Sequence, residues 1–312
     1  MASPSSVAVV LNPRADGGAY DERRVEGLRE IAGSRAVMFV TDERDLVSAV
    51  AEGVRERGAE TVAVIGGDGS VSVTLSALRR AYGQAPLPRL ALLRGGTMNT
   101  IANSIGVRRG SPEDLLRRLL SVPATPLTER NTILVEDRVG FLFTGAAMVG
   151  FLQVLYDSSR TDRGRFGALK LLARGSFQAF AGGALAARIE SPLVATLRID
   201  GEEQPQRRYA VLGAATVEQV GLGFRAFPRA AEGRDQFQVF AFHGTLQTLA
   251  MQLPRIRAGM PVHKGLAIDP LARRFVIEAP GEIIPYALDG DIYEAKNRVA
   301  VDIGPRVLVH LP

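Results

Sequence analysis

The stretch Thr61-Val-Ala-Val-Ile-Gly-Gly-Asp-Gly-Ser70 joins an apolar, β-branched run to a glycine turn that contains one acid. Apolar residues then recur at helical spacing from Val71 to Leu78, so the pattern predicts a strand, a loop over Gly66–Ser70 and a helix starting near Ser70. Glycines let a phosphate approach the backbone, and the first turn of a helix offers unpaired N–H groups. The stretch therefore predicts an anion-binding loop.

Asp68 is the unusual residue of this loop, because a carboxylate repels phosphates unless it binds a cation or accepts a proton. Its presence suggests Mg²⁺ chemistry or base catalysis. The simpler explanation is that tight strand-to-helix turns often contain Gly and Asp, and short glycine motifs have a real rate of false matches. Residues 66 to 70 alone do not decide between these explanations.

Two further stretches place a glycine pair after an apolar strand. They are Leu90-Ala-Leu-Leu-Arg-Gly-Gly-Thr-Met-Asn99 and Val7-Ala-Val-Val-Leu-Asn-Pro-Arg-Ala-Asp-Gly-Gly18. With the loop at 66 to 70, they resemble the catalytic family of diacylglycerol, sphingosine and ceramide kinases, whose pattern is an Asn-Pro loop with Gly, a Gly-Gly-Asp-Gly-Thr loop and a Gly-Thr-x-Asn loop. The order and spacing resemble that family over nearly the whole chain.

The order of elements predicts an α/β protein with two domains. Residues 1 to about 122 alternate strand and helix, which is typical of a parallel, doubly wound sheet whose ligands bind at the carboxyl ends of the strands. After Val122-Pro-Ala-Thr-Pro126 the pattern changes to shorter strands and turns, with helical candidates near 167–182 and 245–256. We therefore expect a nucleotide-binding domain over 1–124 and a mainly antiparallel, β-rich domain over 125–312. The resemblance adds that the second domain binds lipid and that the last strands, about 298–312, return toward the first domain.

The resemblance implies an ATP-dependent lipid kinase. Such an enzyme transfers the γ-phosphoryl group to a hydroxyl of a diacylglycerol-like or sphingoid lipid, with Mg²⁺. Thr41 would lie near the nucleotide, although it is equally well explained as a helix cap. The residues that the resemblance assigns to the nucleotide are Asn12, Pro13, Gly17, Gly18, Thr41, Gly66, Gly67, Asp68, Gly69, Ser70, Gly96, Thr97 and Asn99.

A late Asp-Gly pair, Asp289-Gly290, corresponds to the family motif whose Asp is taken as the base that deprotonates the lipid hydroxyl. Asp289 is therefore the predicted catalytic residue, together with Asp68. The alternative is a plain hairpin turn, because Asp-Gly between apolar runs is the strongest short hairpin signal. Asp200-Gly201-Glu202 matches the motif more literally, but it occurs far too early in the chain.

Several positions depart from the family pattern. Ser70 stands where Thr is usual, and Arg94 replaces a usual Pro. The Asp-Gly pair that supports a structural Mg²⁺ in the family reads Arg234-Asp235 here. A guanidinium cannot ligate Mg²⁺, so a metal site at this point depends on Asp235 taking over by a one-residue shift.

Composition narrows the class of protein and its partners. The chain has 312 residues, 46% of them hydrophobic, with 38 basic and 33 acidic residues and no cysteine. This composition excludes disulfides and a Cys nucleophile, and dispersed basic residues with few aromatics disfavour nucleic acid. The N-terminal residues lack the features of a signal peptide, so we expect a cytoplasmic protein. Basic residues from Arg160 to Arg174 beside apolar ones suggest transient contact with an anionic membrane at its inner face.

Two alternatives remain open beside the lipid kinase. A related small-molecule kinase of the phosphofructokinase or NAD kinase type shares the acidic glycine loop. A homologue that binds nucleotide or lipid without catalysis would explain the departure at Arg234. The sequence also allows a homodimer and does not identify the lipid.

Overall fold

A computed structural model describes residues 7–15, 18–41, 44–121, 125–157 and 192–312. The chain divides into two compact units. The first unit comprises Met1–Arg130, Asp137–Val139 and Pro305–Pro312, and the second comprises Asn131–Glu136 and Gly140–Gly304. The predicted boundary at 124 and 125 precedes a strand, Leu127–Arg130, that lies in the sheet of the first unit.

The first unit contains a six-stranded sheet in the order β2-β1-β3-β4-β19-β5. All neighbouring pairs are parallel except β19 and β5. Its strands are β1 (Val7–Leu11), β2 (Ala36–Val40), β3 (Thr61–Ile65), β4 (Arg89–Leu92), β5 (Leu127–Arg130) and β19 (Val307–His310). Strand β3 is buried at every residue, as a central parallel strand covered on both faces should be. The predicted parallel α/β sheet is confirmed.

The helices of the first unit follow these strands in alternation. They are α1 (Glu22–Ala32), α2 (Arg44–Glu56), α3 (Asp68–Tyr82), α4 (Thr100–Ile105) and α5 (Pro112–Ser121). Helix α3 begins at Asp68, two residues before the predicted start, so residues 68 to 70 form its first turn rather than a loop. Glycine at 69 lowers helix propensity and made this turn look like loop in the sequence. The predicted cap of α2 at Asp42 lies outside the described residues.

The second unit is built on a mainly antiparallel sheet whose central order is β15-β14-β13-β8-β17-β18-β6. The strands from residue 133 to residue 303 are β6 (Ile133–Val135), β7 (Arg138–Gly140), β8 (Leu142–Ala146), β9 (Leu193–Val194), β10 (Thr196–Ile199), β11 (Glu202–Glu203), β12 (Arg208–Tyr209), β13 (Val211–Ala215), β14 (Phe237–Phe242), β15 (Ala267–Ile268), β16 (Leu271–Ala272), β17 (Arg274–Leu288) and β18 (Asp291–Ile303). The predicted β-rich second sheet is therefore confirmed.

The long hairpin of β17 and β18 organises the core of the second unit. Phe143 and Tyr286 stack with ring centroids 5.5 Å apart, and Tyr293 stacks on Tyr286 at 5.6 Å. Because β18 pairs along β17 through residue 302, the chain leaves this sheet only after Ile303. The segment that pairs with the first sheet is thus β19, at 307 to 310, rather than the whole of 298–312.

Two helices are described in the second unit, α6 (Ala147–Asp157) and α7 (Leu246–Arg257). Helix α7 agrees closely with the predicted segment 245–256, and Thr245 caps it by accepting from the N–H of Thr248 at 3.2 Å. Helix α6 is absent from the sequence-based interpretation, because Gly150 and several β-branched and aromatic residues give it little helical signal. The predicted helix at 167–182 lies outside the described residues. Among the helices that are described, none is both long and apolar enough to span a bilayer.

Candidate active site

The two later glycine loops pack backbone against backbone in the first unit. A Cβ atom at Gly96 would overlap the Cα of Gly67, and one at Gly95 would lie 2.6 Å from the backbone nitrogen of Gly66. The loops follow the neighbouring parallel strands β3 and β4, so their glycines meet at the carboxyl end of the sheet. Side chains at these positions would force the loops apart.

The Asn12 loop joins this pair through a hydrogen bond. Asn12 Nδ2 donates to Ser70 Oγ at 2.9 Å, while Asn12 Oδ1 accepts from the Arg14 N–H at 3.0 Å. The second bond closes a local turn over Pro13. Gly18 adopts a left-handed conformation, with φ of 84°. Gly17 lies outside the described residues. The structure therefore brings all three predicted loops together.

Asp68 connects the glycine loops to helix α4. Its Oδ2 accepts from the Thr100 N–H at 2.8 Å, and its Oδ1 accepts from the Ile101 N–H at 2.9 Å. These two N–H groups belong to the first turn of α4, where no intrahelical acceptor exists. The carboxylate thus has a structural role that the sequence did not indicate, whatever it contributes to chemistry.

Burial raises the pKa of Asp68 above its ordinary value. The residue keeps some exposed surface, but its carboxyl group is enclosed, and loss of hydration disfavours the charged form. The N–H groups of Ile101 and Thr100 and the positive charge of Arg94 act in the opposite direction. Desolvation is the largest of these effects, so the carboxyl group is poised to bind a cation or a proton.

Arg94 and Asn99 adopt left-handed backbone conformations on either side of the second glycine pair, with φ of 53° and 48°. Proline, whose φ is fixed near −65°, could not occupy position 94 in this conformation. The Arg94 guanidinium donates to the Val107 carbonyl at 3.1 Å and to Asn103 Oδ1 at 2.5 Å. Arg94 thereby connects the start of the loop with the far end of α4, a role that its replacement of a usual Pro did not suggest.

Asn99 and Thr97 are the other predicted residues beside this glycine pair. Asn99 Oδ1 accepts from the Gly96 N–H at 3.1 Å, and Asn99 Nδ2 donates to the Gly96 carbonyl, so Asn99 closes the loop. Thr97, in contrast, is exposed at the tip of the loop.

Thr41 is buried, and its hydroxyl donates to the Leu11 carbonyl at 3.2 Å. Thr41 is therefore held at the end of β1 and β2 by a buried structural bond.

Tyr20 is a contributor that the sequence reasoning missed. It is buried, and its hydroxyl donates to the Gly95 carbonyl at 3.3 Å. Arg24 lies over its ring at 4.3 Å and pairs with Glu113 at 2.7 Å. Burial of Glu113 works against ionisation, but the hydrogen bonds to its carboxylate and the positive charge of Arg24 together lower its pKa. A tyrosine two residues after the Gly17-Gly18 pair was the available signal.

Asp289 lies in the second unit, in the two-residue turn between β17 and β18. Asp289 and Gly290 have φ of 50° and 92°, as a type I′ turn requires. The residue is 5% exposed, and its carboxylate accepts from the Phe141 N–H at 3.1 Å and from the Leu142 N–H at 2.9 Å. Gly140 leaves room for it, since a Cβ there would lie 2.6 Å from Asp289 Oδ2. Gly140 was also missed, although a glycine within an apolar strand segment is a recognised sign of close approach.

Asp235 adopts a left-handed conformation, with φ of 59°, in the turns before β14. The described part of the chain contains no group of three Asp, Glu, His or Cys side chains arranged to hold a metal ion. A site at Asp235 would therefore need backbone carbonyls or water as its other ligands. The role of Asp235 stays a prediction.

The comparisons with known proteins agree with this geometry. Residues 6–128 match the family model of the diacylglycerol kinase catalytic domain. The resemblance to the diacylglycerol kinases is thereby confirmed. The matched segment contains all three glycine loops, whereas Asp235 and Asp289 lie beyond it. No protein of curated function matches the sequence.

Solved structures are similar in fold to this chain. A diacylglycerol kinase from Bacillus anthracis str. Sterne has a TM-score of 0.66 at 14% identity, covering 99% of this chain and 97% of that one. A candidate diacylglycerol kinase from the same strain has a TM-score of 0.74 at 14% identity, covering 100% and 97%. Another candidate has a TM-score of 0.67 at 12% identity, covering 99% and 97%. At such low identity these likenesses establish the fold alone.

Proposed function

We propose that this protein is a lipid kinase that uses ATP and Mg²⁺ to phosphorylate a hydroxyl of a diacylglycerol-like lipid. The observation that carries the proposal is the contact of Gly66 and Gly67 with Gly95 and Gly96 at the carboxyl end of the first sheet. Backbone packed this closely presents N–H groups and no side chains, which suits a polyphosphate. The family match over residues 6–128 supports the same chemistry.

Helix α3 supplies the second part of a phosphate site. Its N-cap residue is Gly67, which has no side chain with which to cap the first turn. The N–H groups of residues 68 to 70 cannot be satisfied within the helix, and the helix dipole is positive at this end. In the proposed enzyme these N–H groups hold phosphate oxygens, and Asn12 fixes the Ser70 hydroxyl beside them.

The residues present fit a magnesium ion that arrives with the nucleotide. Mg²⁺ is usually held by one or two carboxylates together with substrate phosphates and water rather than by a complete protein cage. Asp68 offers a carboxylate in the first turn of α3, and each oxygen that accepts one N–H retains a second lone pair. When bound, the ion would neutralise charge that develops on the phosphates.

The transfer itself requires a proton acceptor for the lipid hydroxyl. Its oxygen forms a bond to the γ-phosphorus while the bond from that phosphorus to the β,γ-bridging oxygen breaks, so ADP leaves. In the proposed mechanism Asp289 takes the hydroxyl proton. The N–H groups of Phe141 and Leu142 fix the orientation of this carboxylate, which a general base requires.

Radiolabelled ATP offered with a panel of acceptors tests the proposal directly. Diacylglycerol and sphingosine would be presented in mixed micelles, with fructose 6-phosphate and NAD as soluble acceptors, and each with and without Mg²⁺. We expect Mg²⁺-dependent labelling of diacylglycerol. Labelling of a soluble acceptor instead would establish the small-molecule kinase alternative, and ATP binding without labelling of any acceptor would indicate a binding protein.

A further inference from the structure

Helix α7 buries a polar side chain and exposes an apolar one. It buries two side chains, and one of them is the polar Gln252, whose Oε1 accepts from the His263 N–H at 3.1 Å. Met251, directly before Gln252, is 55% exposed, and Met260, just beyond the helix, is 49% exposed. A buried amide and exposed methionines are informative because isolated soluble domains favour the reverse. The outer side of α7 is therefore suited to an apolar contact.

The stretch of sequence that contains α7 carries charge of a single sign. From Gln236 to Ile268 the sequence contains no Asp or Glu, while Arg255, Arg257 and Lys264 are positive. Within the described chain no carboxylate pairs with these three side chains; Arg255 donates to the Pro261 carbonyl at 2.9 Å and Arg257 to the Leu222 carbonyl at 2.9 Å. The charges of Arg255 and Arg257 are thus fixed in place without a carboxylate partner among the described residues. We call Met251, Arg255, Arg257, Met260 and Lys264 the α7 surface.

We infer that the α7 surface docks the protein on an anionic phospholipid bilayer. Exposed methionines enter the boundary of the acyl chains while the basic side chains meet lipid phosphates, which is the arrangement of interfacial helices. The inference rests on the proposed function in one respect, since a lipid kinase must reach a substrate that lies in a bilayer. It adds the part of the chain that makes this contact.

Charge disfavours a second copy of this chain, or residues 158–191 of the same chain, as the partner of the α7 surface. In a symmetric dimer through α7 the same basic cluster would face itself, with no acid of that stretch to pair with it. Residues 158–191 of the same chain contain six basic and two acidic residues, so they carry charge of the same sign. An anionic lipid surface is complementary in both charge and apolar character.

Vesicle sedimentation tests the inference with the full-length protein. The vesicles would contain phosphatidylcholine alone or phosphatidylcholine with phosphatidylglycerol, at low and high salt. The charge variant is R255Q/R257Q/K264Q, and the apolar variant is M251S/M260S. The matched control is R208Q/R273Q/K296Q, which removes three exposed basic residues elsewhere in the second unit.

We expect salt-sensitive binding of the wild type to the anionic vesicles. A basic side chain near an anionic surface contributes about a fivefold increase in affinity, so the charge variant should lose on the order of a hundredfold. The control should lose much less, and the apolar variant should weaken binding while remaining salt-sensitive. Thermal unfolding identifies a variant that fails to fold; in that case the apolar variant, whose side chains are exposed, carries the test.

Several results would overturn the inference. They are equal binding to neutral and anionic vesicles, equal losses in the charge variant and the control, or a change of oligomeric state in the α7 variants. Turnover with a short-chain, water-soluble diacylglycerol separates this inference from the proposed function, because α7 variants should leave it unchanged. If the protein shows no turnover but still binds vesicles through α7, the proposed kinase function is refuted and the inferred docking surface is not.

Discussion

Two Asp-Gly turns of the second unit use the same geometry in different surroundings. Asp200 accepts from the consecutive N–H groups of Arg273 and Arg274, at 2.9 and 2.8 Å, and its own N–H donates to the Arg274 carbonyl. Asp289 likewise accepts from the consecutive N–H groups of Phe141 and Leu142, and its own N–H donates to the Leu142 carbonyl. Both aspartates have φ of 50° and precede a glycine near 90°. Each carboxylate thus fastens a type I′ turn to a neighbouring strand.

The two turns differ in burial, so loss of their hydrogen bonds should have different effects. Asp200 is exposed, whereas Asp289 is 5% exposed and lies against Gly140. Water can replace the bonds at the first turn, but the N–H groups at the second would be left without an acceptor. Orientation by two N–H groups is therefore not evidence of catalysis, because Asp200 shares it. Position in the chain and burial distinguish Asp289.

The largest expected effect in this comparison concerns turnover. Asp289→Asn keeps an oxygen that can accept from Phe141 and Leu142, but it cannot accept a proton from the substrate. If Asp289 is the base, turnover should fall by roughly 10²- to 10⁴-fold while ATP binding is retained. Asp200→Asn is the matched control, which should leave turnover unchanged. Similar, small effects at both positions would remove Asp289 from the mechanism and favour Asp68 as the base.

The next largest effect is on the free energy of unfolding, which should fall further for a change in the buried Asp289 turn than for one in the exposed Asp200 turn. Asp289→Ala leaves two N–H groups without their acceptor in the interior and should lower the free energy of unfolding by about 3 kcal/mol. Asp200→Ala exposes the corresponding groups to water and should cost about 1 kcal/mol. Both variants share the cost of alanine at positive φ, so the difference between them isolates burial. Urea unfolding measures both values, and equal losses would mean that water reaches the Asp289 turn.

Local signals explain which parts of this architecture the sequence could predict. The Gly66–Ser70 loop and both Asp-Gly turns are specified by neighbouring residues, so their glycines and aspartates were recognisable without a structure. The parallel sheet followed from apolar runs that alternate with helical periodicity. These features depend on contacts within a few residues along the chain.

The features that escaped prediction depend on partners far away in the sequence. Gly140 matters because Asp289 folds onto it, and Arg94 matters because its guanidinium reaches Asn103 and Val107. The carboxylate of Asp68 accepts from N–H groups more than thirty positions later. No local pattern encodes these pairings, because each becomes visible only when two strands or loops meet.

A smaller effect on stability should follow from adding a methyl group at Gly140, which packs against the buried Asp289 turn. In Gly140→Ala the new Cβ would lie 2.6 Å from Asp289 Oδ2 and 2.6 Å from Leu288 Cδ1. Backbone or side chains must shift, at a cost of about 1 to 3 kcal/mol in the free energy of unfolding. Gly145→Ala is the control, since its nearest neighbour would be at an ordinary 3.5 Å. If thermal unfolding shows the two variants to be equally stable, Asp289 is less tightly enclosed than we infer.

Asp68 extends the comparison to a third aspartate that accepts from two consecutive N–H groups, and pH should reveal how it differs. Burial raises its pKa in the folded protein, so the folded state binds a proton more readily than the unfolded state, whose value is near 3.8. Stability from this group is therefore fully present below the unfolded pKa and is lost as pH rises through the folded pKa.

Asp68→Asn removes this titration and provides the measurement. The free energy of unfolding of the wild type minus that of the variant should be larger at about pH 4 than at about pH 7, with a slope of at most about 1.4 kcal/mol per pH unit between the two pKa values. Other titrating groups contribute equally to both proteins and cancel. Ser70→Ala, a neighbouring change without a titrating group, should alter stability by the same amount at both pH values. A difference that grows with rising pH would mean that the N–H groups of Thr100 and Ile101 outweigh burial, and that Asp68 is held as a permanent carboxylate.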